Sequence, residues 1–334
     1  MDSEHGHLRR PTLKDVANRA GVSVMSASLA IRSAEGAGRV SIQTRERVLE
    51  VARELGYRPD ARARALRLRQ TNVIGFYAGY GWMDVRLPFF TETVAGLQQA
   101  CEKLKKNLLL HGVSRDSGSE AIYRELIDGT VDGLVVAMPP DDPLIEMLAA
   151  DHLPVVAVAD AISGIPSVVV DDIGGASMLA DHIAGLGHRF AVFATALALP
   201  FSAKRRQQSF IETAVSNGMD VVVRPLGADE DLPDFVLRAI KIGATAIVAW
   251  NDTDARRIIR ACRRVEIRVP QDLAVVGFDG CPLPYDDLFP LTTVRAPWAE
   301  VAHQSVMLLD RLSRKEPCPA VTTMSVEFVK GATT

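Results

Sequence analysis

The sequence lacks the features of a membrane protein, a secreted protein and a metalloprotein. Its four cysteines are widely separated and form no CxxC pair, so neither a disulfide framework nor a zinc site is expected. No run of about 18 apolar residues is present, so we expect no transmembrane helix and no membrane partner. The first ten residues are polar and lack the apolar segment of a secretory signal, which predicts a cytoplasmic protein.

Motifs of the common enzyme classes are also missing. The chain has no phosphate-binding P-loop, no GxGxxG after the first predicted strand, no GxSxG and no HExxH. Asp171 and Asp172 are adjacent carboxylates, but no nucleophile or set of metal ligands accompanies them. We therefore predict a protein that is not an enzyme and that uses no cofactor.

Charge is distributed unevenly along the 334 residues. Residues 1–70 contain 14 Lys and Arg against 8 Asp and Glu, whereas the remainder contains 24 against 33. A basic amino-terminal segment on an acidic body suits a chain in which only the first part contacts a polyanion. Hydrophobic residues make up 48% of the chain, enough to form the cores of two or three compact units.

Three short amphipathic helices are predicted between residues 11 and 58. Thr12 and Asp15 have the spacing of a capping box, and Gly21 can supply the turn that ends the first helix. Ser23 then caps a second helix, and Ser41 caps a third. In a helix-turn-helix the second helix enters the major groove of DNA. The DNA contacts predicted here are Thr12, Ser23, Val24, Met25, Ser26 and Ser28. A small helical bundle that does not contact DNA is the alternative.

The same residues resemble the head of LacI/GalR-type repressors. Thr12-Leu-Lys-Asp-Val-Ala17, Ala20-Gly-Val-Ser23 and the segment from Val40 to Val48 occur in that family's order and spacing. The resemblance implies a homodimer on double-stranded operator DNA, because a palindromic operator mirrors a two-fold axis. Leu29 departs from the family, which usually has an arginine there that reads guanine. We expect Leu29 to contact a thymine methyl group, or reading to shift to Arg32.

Residues 59–71 are predicted to form a hinge helix. Its Ala, Leu and Arg residues favour helix, but about ten residues are too few for a stable isolated helix in water. The resemblance implies that two hinge helices pair in the minor groove, where an apolar side chain wedges into a base step. The predicted contacts are Arg62, Ala63, Leu66 and Arg67, with Leu66 as the wedge. A basic linker that contacts only phosphates is the alternative.

Residues 72–334 alternate between short apolar segments and amphipathic helical segments. This alternation predicts an α/β fold with two doubly wound parallel-sheet lobes, attached to the small all-α head through the hinge helix. We expect the first lobe to comprise about 72–170 with 298–330, and the second about 171–297. The resemblance implies this return of the last strand and helix to the first lobe.

The resemblance extends through this core, at Pro88-Phe89-Phe90, Gly187-His188-Arg189 and the segment from Leu273 to Asp279. It implies a periplasmic-binding-protein-type core with a small-molecule effector, sugar-like or otherwise polar, between the lobes. Ligands of open α/β sheets lie beyond the carboxyl ends of the strands. The predicted effector contacts are Phe89, Phe90, Arg206, Trp250, Asn251, Asp252 and Asp279.

Alternatives remain for these residues and for the whole chain. The two aspartates can instead cap loops or helices, Phe89 can be ordinary core, and Arg206 can belong to a solvated basic face with its neighbours. Gly280 stands where the family commonly has an aspartate, which removes a carboxylate near the predicted site. For the whole chain, a solute receptor without gene control is the rival to a transcription regulator, which we predict to be a repressor.

Overall fold

The computed structural model describes residues 11–32, 40–59, 65, 68, 70–79, 86–112, 115–197, 200–227, 230–282 and 290–334, without the side chains of residues 32 and 115. The chain divides into two compact units, residues 1–71 and 72–334. In its described part the first unit is helical. The second unit combines helices with parallel sheets.

The described part of the first unit contains α1 (Leu13–Ala20), α2 (Val24–Arg32) and α3 (Ile42–Glu54). Thr12 caps α1, because its hydroxyl accepts from the Asp15 backbone N–H at 3.3 Å while the Asp15 carboxylate accepts from the Thr12 backbone N–H at 2.8 Å. Gly21 ends this helix at φ +65°, a left-handed conformation that glycine adopts without steric cost. The small core of the unit includes Val16 and Ala20 from α1, Ala27 and Ala30 from α2, and Val48 and Ala52 from α3.

The first lobe of the second unit is a six-stranded sheet with helices on both faces. Along the chain it contains β1 (Val73–Ala78), α4 (Pro88–Lys103), β2 (Asn107–His111), α5 (Ser119–Leu126), β3 (Gly133–Ala137), α6 (Leu144–Ala150), β4 (Val155–Val158) and β5 (Ser167–Val170). The strand order is β11-β5-β4-β3-β1-β2, all parallel, where β11 (Val321–Met324) comes from the end of the chain. Strands β3, β4 and β5 are buried along their whole length, which is why their sequences are apolar except at Ser167, the first residue of β5.

The second lobe is built from the chain after β5. It contains α7 (Asp172–Gly185), β6 (Phe190–Ala196), α8 (Phe201–Ser216), β7 (Asp220–Leu226), α9 (Leu232–Lys241), β8 (Ala246–Ala249), α10 (Asp252–Arg264), β9 (Ala274–Val276) and β10 (Thr293–Arg295). A parallel four-stranded sheet has the order β7-β6-β8-β9. Single bridges, Val276 with Thr292 and Asp279 with Arg295, attach the next segment in parallel.

The last part of the chain contributes strands to both lobes, and one lobe boundary differs from the expected one. It forms α11 (Trp298–Ser313), β11 (Val321–Met324) and β12 (Glu327–Val329), and β11 completes the first-lobe sheet. We expected the first-lobe segment to reach residue 330. Instead β12 pairs antiparallel with β10, and the Val275 backbone N–H donates to the Thr333 carbonyl at 3.0 Å. Residues 327–334 therefore belong to the second lobe.

Candidate functional site

A cavity of about 330 Å³ lies between the two lobes of the second unit. The loops and helix starts that follow β1 and β4 meet there with those that follow β6, β8 and β9, as expected for ligand sites of open α/β sheets. The cavity is bounded by Leu87, Pro88, Phe89, Phe90, Ala159, Asp160, Pro200, Ser202, Arg206, Trp250, Asn251, Asp252, Thr253, Arg256, Asp279, Cys281 and Trp298. All seven residues that we predicted from the sequence as effector contacts are among them.

Arg206 is the charged centre of the cavity. Its Nε donates to Asp172 Oδ1 at 2.7 Å, and its Nη1 donates to Asp279 Oδ1 at 3.4 Å. The guanidinium carbon lies 3.9 Å from the centre of the Phe278 ring, so the ion also stacks on an aromatic face. Arg206 is only 5% exposed, which rules out the solvated basic face as its environment.

Asp279 lies between this guanidinium and an indole. Its Oδ1 also accepts from Trp298 Nε1 at 3.2 Å. Burial raises the pKa of Asp279 to about 7; Arg206 opposes this shift and the nearby Asp252 adds to it. Burial outweighs the ion pair because the guanidinium is shared and makes its shorter bond to Asp172.

Asp252 and Asn251 line the cavity but already serve as local structural residues. The Asp252 carboxylate accepts from the Gly280 backbone N–H at 2.9 Å and from the Thr293 hydroxyl at 2.6 Å. Asn251 caps α10, since its side-chain oxygen accepts from the Asp254 N–H at 2.7 Å. The capping alternative therefore describes the observed hydrogen bonds of Asp252, and Asn251 is itself a helix cap.

Aromatic rings form the apolar wall. Phe89 at the start of α4 packs edge-on against Trp298, with ring centres 4.8 Å apart, and against Phe90 at 5.1 Å. Trp250 follows β8 and donates its Nε1 hydrogen to Asp254 at 2.7 Å, which fixes the indole at the rim. Cys281 also borders the cavity, and burial raises the pKa of its thiol, so it stays protonated near neutral pH.

A second arginine and two carboxylates accompany Arg206, and none of the three was predicted as an effector contact. Arg205 Nη2 donates to Asp172 Oδ2 at 2.7 Å, and its Nη1 lies 3.3 Å from Asp160 Oδ1. Asp160 comes two residues after the end of the buried strand β4. Asp279 was predicted because it likewise follows a buried strand. Trp298 offered no such signal, because its place in the cavity depends on how α11 returns to the first lobe.

The exposed surface of α2 is the candidate DNA interface of the first unit. At the start of this helix Val24 is 45% exposed and Met25 is 75% exposed, so two large apolar side chains face solvent side by side. Ser23 is exposed, whereas Ser26, Ser28 and Leu29 are half-buried. Thr12 is half-buried in its capping box.

The remaining predicted DNA contacts have no described side chain. Arg32 ends α2, but its side chain is outside the described residues, as are Arg62, Ala63, Leu66 and Arg67 of the hinge segment. No helix in the described part of the chain combines the length and apolar character that a membrane span requires. No group of three or more metal-ligating side chains occurs among those residues either.

A three-helix head with an exposed second helix, followed by two parallel-sheet lobes around a cavity, defines the class of ligand-responsive helix-turn-helix regulators. The comparisons with known proteins agree. Residues 12–60 match the family described as bacterial regulatory proteins, lacI family, and residues 180–334 match the periplasmic binding protein-like domain. The chain belongs to the lacI family and is a DNA-binding transcription regulator with an effector-binding core.

Individual relatives match over nearly the whole chain. The HTH-type transcriptional regulator Rv3575c of Mycobacterium tuberculosis is 31% identical, with 97% of both chains covered. The HTH-type transcriptional regulator DegA of Bacillus subtilis is 28% identical over 91% of this chain and 92% of its own. The crystal structure of the lac repressor dimer, bound to operator and the anti-inducer ONPF, superimposes with a TM-score of 0.82 at 26% identity, over 97% of this chain and 99% of that one.

Proposed function

We propose that the chain is a cytoplasmic, homodimeric repressor whose operator affinity is controlled by a small polar effector in the interlobe cavity. The observation that carries this proposal is the buried Arg206, which contacts carboxylates inside a cavity walled by aromatic rings. Regulation rather than catalysis is the proposed activity, because the matched relatives are transcription regulators.

The chemistry of the cavity favours a ligand with hydroxyl groups on a ring. Within the described residues no hydrogen bond reaches Asp279 Oδ2 or Arg206 Nη2, so one acceptor and one donor remain for a ligand. Adjacent hydroxyls of a sugar-like molecule can donate to the first and accept from the second. The apolar face of such a ring can pack on Phe89, a contact predicted from the sequence, and on Trp298, which was not predicted.

The head supplies the proposed contacts to DNA. We propose that α2 enters the major groove, with Ser23, Val24, Met25, Ser26, Ser28 and Leu29 toward the bases and Thr12 and Arg32 toward the backbone or flanking bases. The exposed apolar side chains suit thymine methyl groups. The hinge residues Arg62, Ala63, Leu66 and Arg67 are proposed to contact the minor groove. In the matched structure the lac repressor is a dimer bound to its operator, which supports the same arrangement here.

Control requires a coupling free energy between effector binding and operator binding. We propose that effector binding changes the angle between the lobes in each subunit, and that this change orders or disorders the paired hinge helices. A ligand that prefers one lobe angle then shifts the population of DNA-competent dimers by its differential affinity for the two states.

A thermal-shift screen of sugars, polyols, sugar acids and purines tests the proposal. A ligand present at 100 times its Kd stabilises the folded protein by about 2.7 kcal/mol, which gives a readily measured rise in Tm. The same ligand should change the anisotropy of a labelled operator fragment bound to the protein. Asp279→Ala should abolish both effects while leaving the fold intact. A ligand that binds equally well to Asp279→Ala, or that never alters operator binding, contradicts the proposal.

A further inference from the structure

Arg205 contacts carboxylates on both sides of the cleft. It belongs to α8 of the second lobe, as does its anchor Asp172 at the start of α7, whose Oδ2 accepts from Arg205 Nη2 at 2.7 Å. The second carboxylate, Asp160, follows β4 of the first lobe and lies 3.3 Å from Arg205 Nη1. The Arg205–Asp160 contact, hereafter the interlobe ion pair, therefore joins the two lobes.

The burial of the two partners indicates what this pair does. The Asp160 side chain is 1% exposed, whereas the Arg205 side chain is 35% exposed. A buried carboxylate is costly unless nearby positive charge compensates it. Arg205 supplies such charge from the opposite lobe, and it does so only when the lobes are close. An opening of the cleft would separate these two charges.

The interlobe ion pair is also connected to the proposed effector site. Asp172 accepts from Arg205 through Oδ2 and from Arg206 through Oδ1, each at 2.7 Å. Arg206 in turn contacts Asp279. One carboxylate thus orients both arginines, one toward the cavity and one toward the other lobe. The adjacent Lys204 takes no part in this network; it is exposed, and its ammonium lies 4.3 Å from the centre of the Phe201 ring.

We propose that Arg205 is a positioning residue that stabilises the closed arrangement of the lobes through Asp160, in the absence of any effector. The protein without ligand then already favours the closed lobes, and the ligand is not the only cause of closure. Its consequence for ligand affinity rests on the proposed function: if the effector selects closed lobes, its apparent Kd rises as the closed fraction falls.

Tryptophan fluorescence measures closure without ligand or DNA. Two of the three tryptophans, Trp250 and Trp298, line the cavity, and Trp298 is only 2% exposed. In a full-length Trp82→Phe background the emission comes from these two residues, and acrylamide quenching reports their access to solvent. We expect Arg205→Gln to lower the ratio of closed to open lobes by about five-fold or more. The quenching constant should rise accordingly, and Asp160→Asn should produce the same rise.

Matched variants separate this role from a general loss of stability. Lys204→Gln removes the neighbouring charge and should leave quenching unchanged, whereas Arg205→Lys keeps the charge and should restore part of the closure. Because the partners act through each other, the double variant Arg205→Gln with Asp160→Asn should be quenched no more than either single variant. Urea unfolding midpoints show that each variant is folded under the conditions of measurement.

Two results would overturn the proposal. One is an Arg205→Gln variant that is quenched like Lys204→Gln. The other is an effect of Arg205→Gln that persists undiminished when Asp160→Asn is already present. If Asp160→Asn does not fold, the comparison of Arg205→Gln, Arg205→Lys and Lys204→Gln still decides the matter. None of these outcomes depends on the identity of the effector, so failure here leaves the proposed function to its own test.

Discussion

At the scale of single residues, Asp279 has a backbone conformation that is rare outside glycine and a carboxyl group whose pKa is raised. Its φ is +121°, a region that residues with a Cβ rarely adopt. Two backbone hydrogen bonds hold it there, one from its N–H to the Val294 carbonyl and one from the Ala296 N–H to its carbonyl, each at 2.9 Å. Such strain persists only where the surrounding structure enforces it, and it is concentrated at functional sites.

The raised pKa of Asp279 predicts how stability depends on pH. The carboxyl ionises near 3.8 when unfolded and near 7 when folded, because burial disfavours its charge. Between these values the folded state binds more protons than the unfolded state, so this group makes the free energy of unfolding fall as pH rises from about 4 to 7. Asp279→Asn should remove that fall. Urea unfolding of both proteins at several pH values measures this pH dependence of the free energy of unfolding. Parallel pH profiles for the two proteins would contradict the prediction.

The structure explains why a glycine occupies position 280, where the family commonly has an aspartate, and this explanation can be tested. Its φ is +58°, and a Cβ there would overlap the backbone of Arg295. Gly280→Ala should therefore lower the free energy of unfolding by about 1–3 kcal/mol. Gly164 is a matched control, since it has φ +79° with open space around it. Gly164→Ala should cost less, about 1 kcal/mol, and equal losses in urea unfolding would argue against the overlap.

At the scale of elements, α2 presents apolar side chains to solvent that its own fold does not need. Met25 is 75% exposed, so Met25→Ala should leave the thermal midpoint nearly unchanged. We expect specific operator binding to weaken by up to about 1.5–3 kcal/mol, the value of fully burying a methionine side chain. Fluorescence anisotropy with operator and with random DNA measures the two affinities. Equal weakening on both DNAs would show that Met25 does not read sequence.

The elements also show where local sequence signals are sufficient. The capping box at Thr12 and the buried apolar strands are predicted because their cause lies within a few residues of the chain. Helix α6 and strand β12 were not predicted, and the return of a last strand to the first lobe was expected only from the resemblance. Strands β11 and β12 are short and partly exposed, so they lack the continuous apolar pattern of a central strand.

At the scale of the whole molecule, the chain separates into units with different tasks. Because residues 1–71 and 72–334 are separately compact, removing residues 1–58 should leave the second unit folded. Operator binding should be lost, since α1, α2 and α3 are gone, while a ligand found by thermal shift should still raise the Tm of the truncated protein. Anisotropy and thermal-shift measurements on the truncated chain check both parts. Specific operator binding by the truncated protein would contradict the assignment of the head.

The sequence by itself determined the helix-turn-helix head, the α/β class of the core and the identity of the residues at strand ends, such as Asp279 and Asn251. These follow from caps, periodicity and strand order, which act locally. Only the tertiary structure decided that Arg205 reaches Asp160, that Trp298 joins Asp279, and that residues 327–334 return to the second lobe. Those contacts join residues far apart in the chain. The first two depend on the approach of the two lobes and the third on the pairing of β10 with β12, and no short stretch of sequence encodes either.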